Sequence, residues 1–325
     1  MERTLIPEPL LVVILGPTGS GKTALSLELA DRFGGEIISC DSVAVYREFE
    51  VGTAKPTREE KARVPHHLID VAAPGEAFTA GEYSRRSRDA AREISTRGKL
   101  PIVVGGTGLY LRAFLEGLFP GPTRSEDVRE RLRGRAAQRG PGYLHRVLTR
   151  MDARAAVAIH ENDEPKVIRA IEVCLAARRP MTEMWQEGRE PLKGFRVLRV
   201  GLDPERQALY EQLNRRAELM FERGLLDESK SLAEKYCPEL QNCERITVFR
   251  SLGYRQCLMH LRGEMSLEEA VRLTKQGHRN YAKRQMTWFR REPDVKWVQG
   301  LGGDTEVQRL VAEVVGRALE PDLED

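Results

Sequence analysis

No apolar run in this 325-residue sequence approaches the ~20 residues that a membrane span needs, so a membrane-embedded chain is not expected. The start, MERTLIPEPLLVVIL, is too acidic and too short for a secretory signal and reads straight into a buried strand. Cysteine is sparse: Cys40, Cys174, Cys237, Cys243 and Cys257 are odd in number and contain no CxxC pair. Without a signal peptide, that usage points to the reducing cytosol. The Cys/His spacing is wrong for zinc, and the adjacent His66 and His67 are poorly placed to share one metal on regular structure. Internal repeats and low-complexity tracts are absent. Net charge is scant at +3, which alone gives no argument for a nucleic-acid partner.

The distribution of charge says more than the sum. Eleven Lys or Arg against three Glu fall between Arg245 and Arg291, and seven acids against two Arg follow from Gly302 onward. The composition is 41% hydrophobic and 31% charged, that of an ordinary globular protein with one large domain or two modest ones.

Leu10 to Leu15 is a continuous apolar run of strand length, the pattern of a parallel strand buried on both faces. A glycine-rich turn follows, then a helical pattern ending at Gly34-Gly35. A second strand is expected from Glu36 to Cys40, with Asp41 at its carboxyl end, then helical material around Ala80 to Arg97, then a third buried strand, LPIVVGG, ending at Gly105. Strands alternating with helices predict an α/β fold with a doubly wound parallel sheet. After about Leu118 the pattern changes. FPGPTRSED is turn-rich, and Val128 to Glu187 is dense in Arg, Ala and Glu without a good strand, until FRVLRVGLD returns to the sheet. The expected organisation is a core of residues 1–118 plus 199–325 carrying a helical insertion over 119–198.

Beyond Pro204 helices are expected to dominate. Ser266 and Glu269 form a capping-box pattern before a long helix. On its wheel Arg272, Gln276, Arg279, Lys283 and Arg290 share a face without an acid, opposite Leu267, Val271, Thr274, Tyr281 and Phe289.

Gly16-Pro17-Thr18-Gly19-Ser20-Gly21-Lys22-Thr23 matches GxxxxGK[ST] in the strand–turn–helix setting that the motif requires. Glycines let backbone N–H groups converge on phosphate oxygens, and the next helix adds its positive end. Lys22 supplies a charge, and the Thr23 hydroxyl is a candidate Mg²⁺ ligand. The loop alone does not choose among phosphate compounds. In a kinase or NTPase, Asp41 would be the acid that serves Mg²⁺.

In order and type, GPTGSGKT, Asp41-Ser42, Gly52-Thr53-Ala54-Lys55-Pro56, Pro65-His66-His67-Leu68, Gly105-Gly106-Thr107-Gly108-Leu109-Tyr110, His160-x-Asn162-Asp163 with Arg169, Gly253-Tyr254-Arg255, and Tyr281-Ala282-Lys283-Arg284-Gln285 with Thr287-Trp288-Phe289 resemble the tRNA dimethylallyltransferase (tRNA isopentenyltransferase) family. The resemblance runs from Gly16 nearly to Arg291 and is of the bacterial type, without the C-terminal zinc finger of eukaryotic relatives. It implies transfer of a dimethylallyl group from dimethylallyl diphosphate to the exocyclic amine of the adenosine 3′ of the anticodon, with the P-loop and Mg²⁺ on the donor's diphosphate and the tRNA anticodon stem-loop as partner. A cytoplasmic monomer is expected.

By the same resemblance Asp41, Thr23, Lys22 and Arg216 do the chemistry. Asp41 is the candidate base, with a magnesium-associated or turn-capping role as its alternative, and Arg216 reaches the diphosphate. Asp41, Ser42, Val43, Ala44 and Thr107 meet the target nucleotide. Arg129, Pro165, Lys166, Val167, Ile168, Arg169, Arg279, Lys283, Arg284 and Gln285 grip the tRNA. Ala44 stands where many members carry Gln, Glu161 where Pro is usual and His278 where Thr is common. A small-molecule P-loop kinase, a transferase that prenylates free adenine nucleotides and a non-catalytic RNA-binding P-loop protein remain alternatives, although none of the three employs the whole set of features.

Overall fold

The computed structural model describes residues 8–320. The first seven residues of the N-terminal stretch and the last five of the acidic tail lie outside the described residues. The chain folds as two compact units, residues 1–114 with 193–325, and the insertion 115–192.

In the first unit the chain runs β1 (Leu10–Leu15), α1 (Lys22–Phe33), β2 (Gly35–Cys40), α2 (Arg58–Arg63), β3 (His66–His67), α3 (Ala80–Thr96), β4 (Leu100–Gly105) and α4 (Gly108–Leu115). The insertion contributes α5 (Glu126–Arg139), α6 (Tyr143–Met151), α7 (Ala153–Ala158), α8 (Glu164–Ala177) and α9 (Met181–Gln186). The first unit resumes with β5 (Arg196–Asp203), α10 (Arg206–Glu222), α11 (Leu225–Tyr236), α12 (Tyr254–Leu261), α13 (Leu267–Phe289), β6 (Val295–Gln299) and α14 (Thr305–Leu319).

The six strands form one parallel sheet in the order β3-β2-β4-β1-β5-β6. β1 is central, with Val13 opposite Val103 of β4 and Arg199 of β5, and all six of its residues are buried. α1 and α14 cover one face through Leu25, Leu29, Val307, Val311 and Val315. Because every strand points the same way, their carboxyl ends share one edge, where ligands of such sheets bind. The P-loop, Asp41, Gly105-Gly106-Thr107, Asp203 and the turn at 300–303 all leave from that edge.

The insertion has its own core, built by Leu132, Leu144, Leu148, Val167, Ile168, Ile171 and Met184 among others. Asp152 ties α7 to α9, its carboxylate accepting the Ala155 N–H, the Thr182 N–H and the Thr182 hydroxyl. The insertion closes where the Leu192 N–H donates to the Leu115 carbonyl at 2.7 Å. Its limits fall earlier than the 119–198 read from composition, because from Arg196 the chain already pairs with β1.

The structure corrects three sequence expectations. The buried seam of α13 is Ala270, Thr274, His278, Ala282, Gln285 and Phe289, while Leu267, expected inside, is 40% exposed. Ser266 accepts the Glu269 N–H as a cap, but the Glu269 carboxylate turns forward to Arg272 at 2.7 Å instead of back to the cap. The basic face is therefore not free of acid, and Arg290 meets Asp203 as well. Finally, Cys237 and Cys243 form a disulfide, because the turn after α11 brings their Cα atoms to 5.6 Å. The residue count did not reveal that pair, which sits uneasily with a reducing compartment. No helix among the described residues is long and apolar enough to cross a membrane.

Candidate active site

The P-loop is held in shape from outside itself. Gly21 starts α1 at φ +83°, and a Cβ there would fall 2.8 Å from the backbone nitrogens of both Gly302 and Gly303. Only glycine lets the two turns meet so closely. The Gly302 N–H donates to the Ser20 carbonyl at 2.8 Å. On the other side Gln285 of α13 accepts the Thr18 N–H at 2.7 Å and donates to the Gly106 carbonyl at 2.8 Å. The side-chain amide thus locks the phosphate loop to the loop after β4. The close fit there leaves no room for a side chain at Gly106, where a Cβ would lie 2.1 Å from Gln285 Nε2.

A cavity of about 1000 Å³ opens over this edge of the sheet. Thr18, Gly19, Gly21, Lys22 and Thr23 line it, with Asp41, Gly105, Gly106, Arg215, Arg216, Arg223 and Tyr281. Ile37, Ile69, Val104, Leu219 and Met220 give it an apolar stretch. Lys22 folds back on its own loop, donating to the carbonyls of Gly16 (2.9 Å) and Pro17 (2.7 Å). Burial, and then the neighbouring Arg216 charge, push its ammonium down to about 7, against the opposing pull of Asp41. Burial also lowers the Arg216 pKa, again opposed by Asp41. Neither cation has a carboxylate in salt-bridge contact among the described residues. The cavity is therefore short of negative charge, the condition that favours an anion.

Asp41 divides its two oxygens between structure and solvent. Oδ1 accepts the N–H groups of Val43 (2.8 Å) and Ala44 (3.2 Å), capping the turn after β2. Oδ2 has no hydrogen-bond partner among the described residues, and Asp41 lines the cavity. Beside it the Thr107 hydroxyl accepts the Ser42 N–H at 3.0 Å. Tyr281 completes this corner, its phenol pushed up to about 12 by burial and by the Asp41 charge. Glu228 anchors the 50–52 segment of the wall, accepting from the N–H groups of Glu50 and Val51 and from the Tyr254 hydroxyl. Lys55 is neutralised by Asp70 and Glu50, so it is a structural lysine.

The sequence model of the IPP transferase family matches residues 44–292. The chain belongs to this family. It is 62% identical to the tRNA dimethylallyltransferase of Koribacter versatilis, over 96% of this chain and 98% of that one. It is 49% identical to the enzyme of the same name from Solibacter usitatus, over 95% and 99%. Among solved structures it resembles the full-length tRNA isopentenylpyrophosphate transferase of Bacillus halodurans, with a TM-score of 0.69, 37% identity and coverage of 96% and 97%. It also resembles a eukaryotic dimethylallyltransferase captured acting on tRNA, with a TM-score of 0.80, 27% identity and coverage of 98% and 82%.

For an IPP transferase, the residues expected on the RNA separate into distinct groups. Asp41 and Ala44 line the cavity, Ala44 being 6% exposed with its N–H on Asp41 and its carbonyl accepting from the Asp70 N–H, while Ser42, Val43 and Thr107 lie beside Asp41 in the turn it caps. Gln285 serves the P-loop and is buried at 6%. Arg279 bonds Asn214 of α10, whereas the Lys283 ammonium is exposed with no partner among the described residues. Arg284 lies over the Tyr281 ring. In the insertion, Arg129 and Arg169 both hold Glu172, at 3.1 and 2.7 Å, and Glu172 also accepts the Ser125 N–H. Val167 and Ile168 are 1% and 2% exposed, so their side chains are core and not contact surface. Pro165 and Lys166 stay exposed, Lys166 against Asp163.

Sequence reading missed the 300–303 turn, Tyr281 as a cavity residue, and Arg215 and Arg223. Tyr281 had a signal, since it sits on the helix face opposite the basic stripe and opens the Tyr281–Gln285 motif. Nothing in LGGD announces that it abuts the P-loop.

Proposed function

We propose that the chain transfers a dimethylallyl group from dimethylallyl diphosphate to the exocyclic amine of the adenosine 3′ of the anticodon in tRNA, releasing diphosphate. The observation that carries this reading is the free Oδ2 of Asp41 in the same cavity as Lys22 and Arg216. An acceptor for one proton stands in reach of a cradle for a departing anion.

In the reaction the carbon–oxygen bond to diphosphate breaks as the nitrogen–carbon bond forms. Asp41 takes the proton that the amine loses, held in place through Oδ1 by the turn it caps. Lys22, the P-loop N–H groups and the start of α1 stabilise the charge gathering on diphosphate. Arg216 adds a planar fork suited to two phosphate oxygens. The apolar wall of Ile69, Val104, Leu219 and Met220 excludes water from the prenyl carbon. Thr107 and Tyr281 border the place of the target base.

A divalent cation fits the donor set. The Thr23 hydroxyl is exposed at the cavity with no protein partner, and no cluster of three or more metal-ligating side chains occurs among the described residues. Magnesium binds in this manner, through one or two protein oxygens together with waters and substrate phosphates, and would supply charge neutralisation on the diphosphate. RNA contact is assigned to Lys283 and Arg284, with Lys166 on the insertion, through phosphates.

Incubation with labelled dimethylallyl diphosphate, Mg²⁺ and either tRNA or free AMP tests the reading. Label in tRNA alone supports it. Label in AMP, or phosphate transfer from ATP to a small molecule, replaces it with one of the alternatives.

A further inference from the structure

Behind the cavity two helices bring together polar side chains that lack partners. Arg216 of α10 lines the cavity, yet its Nε–H is buried without an acceptor. His278 of α13 is 6% exposed, and neither Nδ1 nor Nε2 has a partner. Burial, reinforced by the Arg216 charge, pushes the imidazole down to about 4. The ring is therefore neutral near pH 7 and keeps one nitrogen as an acceptor. Buried polar groups in native proteins are almost always paired, so two adjacent orphans call for an explanation.

The helices are pinned around this point. Arg279, the next residue, bonds Asn214 of α10, and Leu209, Leu213 and Ala282 pack into a small cluster along the same pair of helices. His278 and Arg216 therefore keep their places when the cavity fills. A guanidinium is planar, so fixing Nε–H fixes the direction of both terminal NH₂ groups.

We propose that His278 is a positioning residue for phosphate binding: its ring accepts from a bridging water that takes the Arg216 Nε–H, and so aims the guanidinium fork at the diphosphate. The inference rests on the diphosphate reading of the cavity. His278 touches neither substrate. It acts by removing rotamers of Arg216 that would point away from the anion.

The test compares His278→Leu, which fills the space without an acceptor, with His278→Asn, which retains one. Pyrophosphate binding is measured by calorimetry on the full chain, alongside KM and kcat for dimethylallyl diphosphate and tRNA. His278→Leu is expected to weaken pyrophosphate and raise the donor KM by about tenfold, with the tRNA KM unchanged. His278→Asn should recover most of that loss. In an Arg216→Lys background, which has no Nε–H, His278→Leu should cost nothing further. Wild-type affinity in the Leu variant, or an equal loss in the Lys background, overturns the proposal. The ¹⁵N shifts of His278 in the unmutated chain give a second measurement: ring nitrogens of an imidazolium near pH 7 also overturn it. Wild-type protein that binds pyrophosphate but prenylates nothing sinks the functional reading and leaves this test intact, whereas wild type that ignores pyrophosphate sinks both.

Discussion

Arginine is treated in opposite ways in the two units. In the insertion, Arg129 and Arg169 close on Glu172, whose side chain is 1% exposed, so each cation answers a buried carboxylate. In the cavity of the first unit, Lys22 and Arg216 crowd each other and have only the more distant Asp41 as counter-charge. A cation saturated by a protein carboxylate holds the fold, whereas a buried cation short of one is poised for an anionic ligand. Both kinds look the same on a helical wheel.

Four measurements can break or sharpen that contrast. The largest effect is expected from Asp41→Asn, which keeps an oxygen for the turn but cannot take a proton. Single-turnover transfer should fall roughly 10²–10⁴-fold with both substrates still bound. A near-normal rate would leave Asp41 as a cap only.

Glu172→Gln comes next. Removing the acid from a buried pair leaves two arginines unanswered and should cost about 3 kcal/mol in chemical denaturation of the insertion, with pyrophosphate affinity unmoved. A stability change within about 0.5 kcal/mol would show that these arginines are free for RNA after all.

Lys22 is the third case. Lys22→Ala should weaken pyrophosphate by about 10–100-fold, the worth of a charge-assisted hydrogen bond, and leave tRNA binding in place. The pH dependence has a definite sign. The free enzyme holds Lys22 at about 7, and a bound anion raises it. Binding therefore takes up a proton above pH 7, and affinity falls as pH rises. Calorimetry in buffers of different ionisation enthalpy reads that uptake, and Lys22→Arg, which keeps its charge, should remove Lys22's share of it. Equal uptake in both proteins would refute the assignment.

The smallest effect separates residues of one helix. Lys283→Ala should lower the log–log salt slope of tRNA binding by roughly 0.7–0.9, the value of one phosphate contact, while Arg272→Ala, already answered by Glu269, should leave it unchanged. Matching slopes for Lys283→Ala and wild type would take α13 out of the RNA surface.

Much of this molecule could be read from its sequence. β1 and β4 are dense apolar runs, β5 alternates apolar and charged residues, and α3 has a clear period, so their limits agree with the structure to within a residue or so. β6 escaped notice because VKWVQ is short, half-exposed and follows a helix-rich stretch. β3 is two histidines wide, with His67 facing Glu36 at 2.7 Å, and carries no apolar signature. In the site, the P-loop and Asp41 were visible because a local motif and a strand end mark them. The duties of Gln285 and Arg129 were not, because each depends on a partner far off in the chain; the Arg169–Glu172 pair is local, but only the fold buries Glu172 and shows that the pair is structural.

One of those distant partnerships bears on how the chain is made. The P-loop and its outer support, the Gly302 N–H on the Ser20 carbonyl, lie far apart in the chain. During synthesis the shape of the loop is complete only after Gly302 has left the ribosome. Closing so long a span is slow compared with forming α1 or the helices of the insertion. The full shape of the loop is thus acquired late in synthesis.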